Sequence, residues 1–596
     1  MSDLLIGNAQ RARRNNFSEF FDRHIVWVAA FFGVLVFAFI QFATHMPGGF
    51  PNSDDILRLV HVRDLLAGQS WFDPVQYRLG LEGGTVMHWA KLVDAPIALL
   101  VLWGGENFAA FAWPLILAFL SIAAVAFGTV KLAGRDARFP AVVIAVTALW
   151  SVGVFSPGSF DHHNVQATLL LWAIALFVGP NTSHISTSIA GLCCALMLAI
   201  GMETLPHVAA LGIWAAITFA FGSLSVYAAR GFGAGLALSS VALFPSLIGP
   251  SQWLSTNCDS FSTFHVTLAV IGGGGLAAAS FALSAGKRMI ILGVAALAGA
   301  AAITVFFPHC LANPISGLPP LLREFWLDGV VETRSAVEMF RTDPFSLIGF
   351  FALPVIGLVV CIFGLRHEET RLGASLLLSV LVVAIAITSW QQRGFVFAAL
   401  VAMFPMTVAL TKARLRYEQS KKIPALAGMV FFWIASINVV WFVLSAQMAS
   451  AFSSAPTLQE QIATADPSDY CYEADLYAAL RAEPKGAVLS STNTGPMVIA
   501  HTHHRALAGP YHRNVDGNMR LIEIMLASSS VAKKMVDESG ITHIADCIND
   551  PDTRDFKKAA PDGFQSALHA SPERFDWLEI IPSSVDQPLR IFRVIE

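Results

Sequence analysis

Apolar runs long enough to cross a lipid bilayer recur along three quarters of this chain, and no other feature restricts its fold so strongly. A spanning helix needs roughly 20 apolar residues for a hydrocarbon core of about 30 Å, and inside that core each backbone N–H and C=O must find its partner within the protein. About thirteen such runs are present, at 25–43, 107–132, 140–155, 165–179, 185–201, 205–222, 232–248, 266–283, 289–307, 345–364, 372–389, 394–411 and 425–445. The first exceeds the roughly 7 to 15 apolar residues of a cleaved signal peptide and lacks a small-residue cleavage site, so it is expected to remain as a span.

Composition agrees. Of 596 residues 55% are hydrophobic and only 13% charged, with a mean hydropathy of +0.59, where a soluble domain carries roughly 25% charge. That excludes a cytosolic enzyme. Charge is also uneven, since 33 of the 80 charged residues fall in the last 147. The expected organisation is a polytopic helical membrane region, 1–449, followed by a water-exposed α/β domain, 450–596. The net charge of −4 and the lack of a long basic block give nucleic acid no footing as a partner.

Lysine and arginine alternate between the connecting loops. One side carries Arg11, Arg13, Arg14 and Arg23, then Lys131, Arg135 and Arg138, then Arg230, Lys287, Arg288, Arg366 and Arg371, and finally five cations from Lys412 to Lys422. The opposite loops after runs three, five and seven carry none. By the positive-inside rule the amino terminus is cytoplasmic, and an odd number of spans puts the tail outside, the periplasmic side in a bacterial inner membrane.

Two outward loops, 44–106 and 308–344, are longer than helix packing requires, and long loops on packed scaffolds usually carry function. The first opens on an amphipathic stretch from Asp54 to Asp64, expected along the membrane surface. It also holds the cluster from Met87 to Pro96 and a short apolar segment, 95–103, expected to be re-entrant or interfacial. In the tail, strands are expected at 487–491, 497–501, 541–546, 577–581 and 589–594, with helices at 473–482 and 519–538.

Acidic residues gather at the outer face. Asp54 and Asp55 follow the first span, and on a helix Asp54, Arg58 and His61 share a face. Asp161, His162 and His163 occupy the turn after the third run, and Glu332 lies in the second long loop. Oxygen ligands from separate segments suit Mg²⁺ or Mn²⁺, with histidine tolerated by Mn²⁺. Each site also reads as ordinary structure: Asp54 and Asp55 as helix caps, Asp161 as the cap of the fourth span, Glu332 as a solvated loop residue. Arg393, at the outer end of the twelfth run, is placed to clamp phosphate or to snorkel to the interface, with Arg58 and Lys91 as secondary phosphate ligands. His88 and Glu203 are expected to line an outward-facing cavity, together with His162, His163 and the tail residues Tyr511 and His512. Zinc binding by His501, His503, His504 and His512 is a weaker reading, because no cysteine pair accompanies them.

These features resemble the GT-C glycosyltransferases, and in particular the catalytic subunit of oligosaccharyltransferase, whose second motif is similar to Phe160-Asp161-His162-His163. The resemblance implies a divalent metal (Mn²⁺ or Mg²⁺) held by Asp54 or Asp55, Asp161, His163 and Glu332, and a donor phosphate on Arg393. It implies transfer of a sugar or glycan from a polyprenyl-linked donor to a glycan, lipid or protein acceptor, with Asp54 or Asp55 as base. The Trp-Trp-Asp motif that asparagine-glycosylating members carry is absent from the comparable stretch, Ser490 to Pro496, which puts protein N-glycosylation in doubt. The competing class is a transporter or flippase for a lipid-linked glycan, since intramembrane acids also mark transport paths. Such proteins commonly show repeated halves, and none is detectable here. Four of the seven cysteines face outward. Three pairings are possible among them, and Cys258 with Cys310 and Cys471 with Cys547 are favoured as loop–loop and tail–tail pairs.

Overall fold

The computed structural model describes residues 25–42, 52–179, 182–312, 317–452 and 471–595. The arginines from Arg11 to Arg23, the start of the first long loop at 44–51 and the segment 453–470 before the tail lie outside the described residues. All thirteen apolar runs fall on helix. Eight described helices are long and apolar enough to cross a membrane, and a ninth is completed by Ile423–Ala435 with Asn438–Phe452, a pair bent by 80°. The remaining four, Arg138–Val152, His163–Phe177, His184–Ile200 and Thr263–Ala279, have 15 to 17 residues. At 1.5 Å per residue they reach only about 23–26 Å. Length therefore supports eight or nine spans in a multi-pass membrane protein, against the thirteen expected.

Packing among the helices depends on small residues, because in lipid close van der Waals contact has to replace the hydrophobic drive. Helix Val226–Leu247 is gripped from both sides. A Cβ at Gly231 or Gly235 would strike backbone of His184 or Ser188 on one neighbour, and one at Gly233 would strike Gly273 on the other. Serines 183, 225 and 284 cap their helices by accepting from the N–H groups of Ser186, Ala228 and Lys287.

The segment 95–103 is not a separate re-entrant element. It belongs to helix Lys91–Ala133, which breaks at Gly105, where φ is +83°. Only glycine adopts that conformation cheaply. Leu99, Leu102 and Trp103 stay exposed before the break, as an interfacial segment would leave them.

In the tail a five-stranded sheet runs in the order Arg505–Ala506, Ala487–Ser490, Ile541–Cys547, Leu589–Val594, Leu578–Ile580, the first three mutually parallel and the last two joining antiparallel. Two expectations are corrected. The strand expected at 497–501 is helix Gly495–His501, with Pro496 in its first turn, where a missing N–H costs nothing. The single helix expected at 519–538 is two, Val515–Leu526 and Ser529–Glu538, divided at Ala527, whose backbone is extended.

Both long outer loops are welded to this tail. Backbone of Arg78 and Gly80 bonds to both sides of Ala506 at 2.9 Å, extending the sheet edge. Arg63 and Arg78 donate at 2.7 Å to the carbonyls of Ala500 and Ile499, which the end of helix Gly495–His501 leaves unpaired. From the second loop, Leu322 and Phe325 enter the tail's apolar core, Phe325 lying 5.6 Å from the Phe556 ring. Cys258 is bonded to Cys310 and Cys471 to Cys547, while Cys193, Cys194 and Cys361 are free and buried.

Candidate active site

Helix Ser53–Leu66 carries the first acidic pair. It does not lie on a membrane surface: residues Asp55 to Val62 are all buried, against helix Lys91–Ala133 and tail helix Gly495–His501. The stretch reads as polar yet its middle sits inside, because Asp55, Arg58 and Arg63 each meet a fixed partner there.

The two aspartates are not equivalent. Asp55 Oδ1 accepts the N–H groups of Phe160, at 2.7 Å, and Asp161, at 2.8 Å, and so fixes the second acidic turn against the first. Asn52 in turn accepts the Asp55 N–H at 2.9 Å. Asp55 Oδ1 is thus committed to this turn, while its Oδ2 is buried with no hydrogen-bond partner among the described residues. Burial, together with the charges of Asp161 and Glu332, pushes the Asp54 carboxyl up to about 7. Tyr511 is pushed well above its usual range by burial and by the Asp54 charge beside it. Its ring meets Trp89 edge-on at 5.5 Å.

Asp161 lies between two imidazoles, His162 Nδ1 at 2.6 Å and His163 Nε2 at 3.6 Å. Burial alone would raise this carboxyl, but His162, His163 and Arg58 together hold it well below the usual range. His162 is moved the opposite way. Burial opposes its charge, yet Asp161 on one nitrogen and Glu203 on the other, at 3.6 Å, raise it to about 10. With Nδ1–H directed at Asp161, the Arg58 Nη2 3.3 Å away is a neighbouring charge rather than a donor to that nitrogen. Gln166 orders the far side, donating to the Gly201 carbonyl at 3.1 Å and to Glu203 at 3.3 Å.

The sequence-expected cations divide. Arg58 is 1% exposed, paired with Asp94 at 3.0 Å and stacked 4.2 Å above the Trp89 ring, so it is closed to a donor phosphate. Lys91 is buried as well and donates to Gln69 at 3.0 Å, outside the cluster. Both charges are taken up by partners within the protein, as burying a charge demands. Arg393 is different: it is exposed, held by Nε to Gln391 Oε1 at 3.0 Å, and within electrostatic reach of Glu203. The second loop meets it through the Gln392 N–H, which donates to the Arg334 carbonyl at 2.9 Å, two residues from Glu332.

His88 and His512 lie ring to ring at 4.7 Å, joining first loop to tail. His512 bonds Asp259 at 2.7 Å, and Arg513 grips the same carboxylate with two bonds of 2.7 Å. Burial, with the facing His512 and Arg513, holds the His88 imidazole well below its usual range. A polar cleft of about 810 Å³ opens beside this junction, lined among others by Glu82, Asn257, Asp259, His512 and Arg513. Of the tail histidines read as a zinc set, His504 bonds the Leu480 carbonyl and His501 packs on Tyr477, so they do not converge on a shared point.

Asp259 escaped the sequence reading, and Asp94 was read only as part of the cluster from Met87 to Pro96, without its arginine. Only the third dimension supplies each of them with its arginine.

No family model matches the sequence, and no curated protein matches it. Solved structures do. The archaeal oligosaccharyltransferase AglB from Archaeoglobus fulgidus, in complex with an inhibitory peptide and a dolichol-phosphate, superposes with a TM-score of 0.64 at 15% identity, covering 95% of this chain and 74% of that one. The apo form gives 0.66 at 13% identity, over 94% and 73%. The fold is that of a GT-C membrane glycosyltransferase. A third AglB structure, complexed with Zn and sulfate, gives 0.56 at 15% identity, over 90% and 70%.

The donor set of this chain fits a divalent cation. Ligand atoms of Asp161, His162 and His163 lie within 4.8 Å of one another, and burial with the charges of Asp161 and Glu332 raises the Asp54 carboxyl, a repulsion that a cation relieves. Cys258, His309 and Cys310 also cluster, but their two sulfurs form a disulfide.

Proposed function

We propose that this chain transfers a sugar or glycan from a polyprenyl-(pyro)phosphate donor to an acceptor at the outer face of a bacterial inner membrane. Residues 1–449 form the membrane-embedded catalytic region in this reading, and 450–596 the periplasmic domain. The observation that carries it is that Asp54 feels the charges of both Asp161 and Glu332, from segments more than 100 residues apart in sequence, on a GT-C fold. AglB holds dolichol-phosphate and a peptide on the same fold, which supports a lipid-linked donor and an acceptor meeting here.

In the proposed reaction the acceptor hydroxyl oxygen bonds the anomeric carbon as the bond to the donor phosphate oxygen breaks. The electron pair leaves with the lipid phosphate, the hydroxyl proton passes to the Asp54 carboxylate, and direct displacement inverts the anomeric centre. Arg393 supplies a two-point clamp on the departing phosphate, whose main need is charge neutralisation. Asp55 acts through the turn it holds, and Arg58 with Asp94 fixes the charge balance around His162. A divalent cation held by Asp54, Asp161, His163 and Glu332 would add electrostatic stabilisation to the leaving phosphate. The cleft beside His88, His512 and Arg513 is the acceptor side.

The test is transfer from a radiolabelled lipid-linked sugar in membrane vesicles. Loss of transfer in Asp54→Asn and Asp161→Asn, with normal protein abundance, supports the reading. Full transfer by both variants rejects it and favours the transporter class.

A further inference from the structure

Most cations of the Lys- and Arg-bearing loops have partners within the protein. Arg230 lies 4.0 Å over Phe281 and bonds Ser280, Arg288 covers Phe219, Arg366 covers Phe363, and Arg414 pairs with Asp136 and Glu418. Lys412, Arg416 and Lys422 have no acidic partner among the described residues, and all three are exposed. They converge on the rim of one cavity of about 790 Å³.

That cavity is enclosed by helices Ser346–Gly364, Glu368–Trp390, Phe395–Ser420 and Ile423–Ala435. Its walls are apolar, including Leu377, Val408 and Phe432, and no carboxylate lines it. Lys412 stands 17 residues into the helix that begins at Phe395 beside Arg393, about 26 Å along the axis from that end at 1.5 Å per residue. The site is therefore at the opposite end of the helices from the proposed chemistry and independent of it.

An apolar slot between spans, closed at one end by cations of a single sign, has the two halves of an amphiphile's complement. We infer that it binds an anionic phospholipid, its acyl chain between the four helices and its phosphate on Lys412, Arg416 and Lys422. Basic pockets between spanning helices recognise acidic headgroups on this principle, and a zwitterionic headgroup, bringing its own cation to the rim, is disfavoured. The Lys421 backbone, left-handed at φ +52°, ends helix Phe395–Ser420, and Arg416 before this turn and Lys422 after it both line the cavity.

The experiment uses the full chain in nanodiscs of phosphatidylcholine with a minor fraction of phosphatidylglycerol, re-extracted into detergent, with retained lipids counted by native mass spectrometry. Wild-type protein retains phosphatidylglycerol in preference to phosphatidylcholine. In K412Q/R416Q/K422Q that preference falls about a hundredfold, from about fivefold per cation at a membrane surface. Arg416→Gln alone gives the fivefold step and serves if the triple variant does not fold. Gly428→Leu projects into the cavity, where a Cβ meets nothing within 4 Å, and abolishes retention with every charge intact. An unchanged preference in the charge variants, or unchanged retention in Gly428→Leu, overturns the inference. Displacement of the lipid by inorganic phosphate also overturns it, because the site would then read an anion without its chain.

Discussion

Adjacent aspartates with opposite roles give the sharpest test. Asp55 is 1% exposed and accepts two backbone N–H groups at 2.7 and 2.8 Å, those of Phe160 and Asp161. Asp55→Ala leaves both donors buried without a partner. A hydrogen bond to a charged group is worth about 1.5–3 kcal/mol, so two such bonds put the loss at about 3–6 kcal/mol. Asp55→Asn keeps an oxygen in place and costs about half of that. Asp54→Asn removes one of three mutually repelling carboxylates and touches only a side-chain bond with Tyr511, which an amide oxygen can still accept, so the fold keeps its stability while transfer is lost. Thermal unfolding in detergent, followed by tryptophan fluorescence, measures stability. Transfer from a labelled lipid-linked sugar measures chemistry on the same preparations. The expected order of melting temperature is Asp54→Asn equal to or above wild type, then Asp55→Asn, then Asp55→Ala. If Asp55→Ala melts with wild type while Asp54→Asn unfolds early, the assignment of roles is reversed and the reasoning fails.

Glu332→Gln is expected to cut transfer strongly with little change in stability, because the side chain is exposed and acts on Asp54 only through its charge; retained activity removes Glu332 from the site. Arg393→Lys should raise the donor KM by more than the loss of a point charge would, since lysine cannot make a two-point phosphate contact, and an unchanged KM dismisses the clamp. Thiol titration of denatured, unreduced protein should find three free thiols, those of Cys193, Cys194 and Cys361; seven would reject both disulfides. Asp259→Asn should loosen the junction of tail and first loop, read as faster hydrogen exchange around Met87 and Tyr511, because Arg513 loses its paired carboxylate; unchanged exchange would show that the apolar contacts alone hold the junction. An impermeant thiol reagent on intact cells should label a cysteine at 161 and spare one at 287, and the reverse pattern would invert the membrane orientation.

The sequence by itself determined where the membrane helices lie. An apolar run has no stable alternative in lipid, so all thirteen runs became helix whatever their neighbours did. How many of them cross was not legible, because a run of 15 helical residues and one of 22 look alike until the flanking caps set their ends. The acidic turn Asp161-His162-His163 stood out for the same local reason: charges at the end of a hydrophobic segment are expensive and so conspicuous.

Tertiary structure alone decided what each charge does. Asp54 and Asp55 are chemically identical neighbours about 100° apart around one helix, and which of them meets the Phe160 turn depends on how that helix is buried. Arg58 read as a phosphate ligand because its partner Asp94 lies 36 residues away and its cover, Trp89, 31. The helix Gly495–His501 read as a strand because a short, wholly buried segment has no polar face, and without one there is no period to distinguish 2.0 from 3.6. Periodicity and hydropathy are local properties of the chain, whereas the pairing of charges is a property of the distances between its parts.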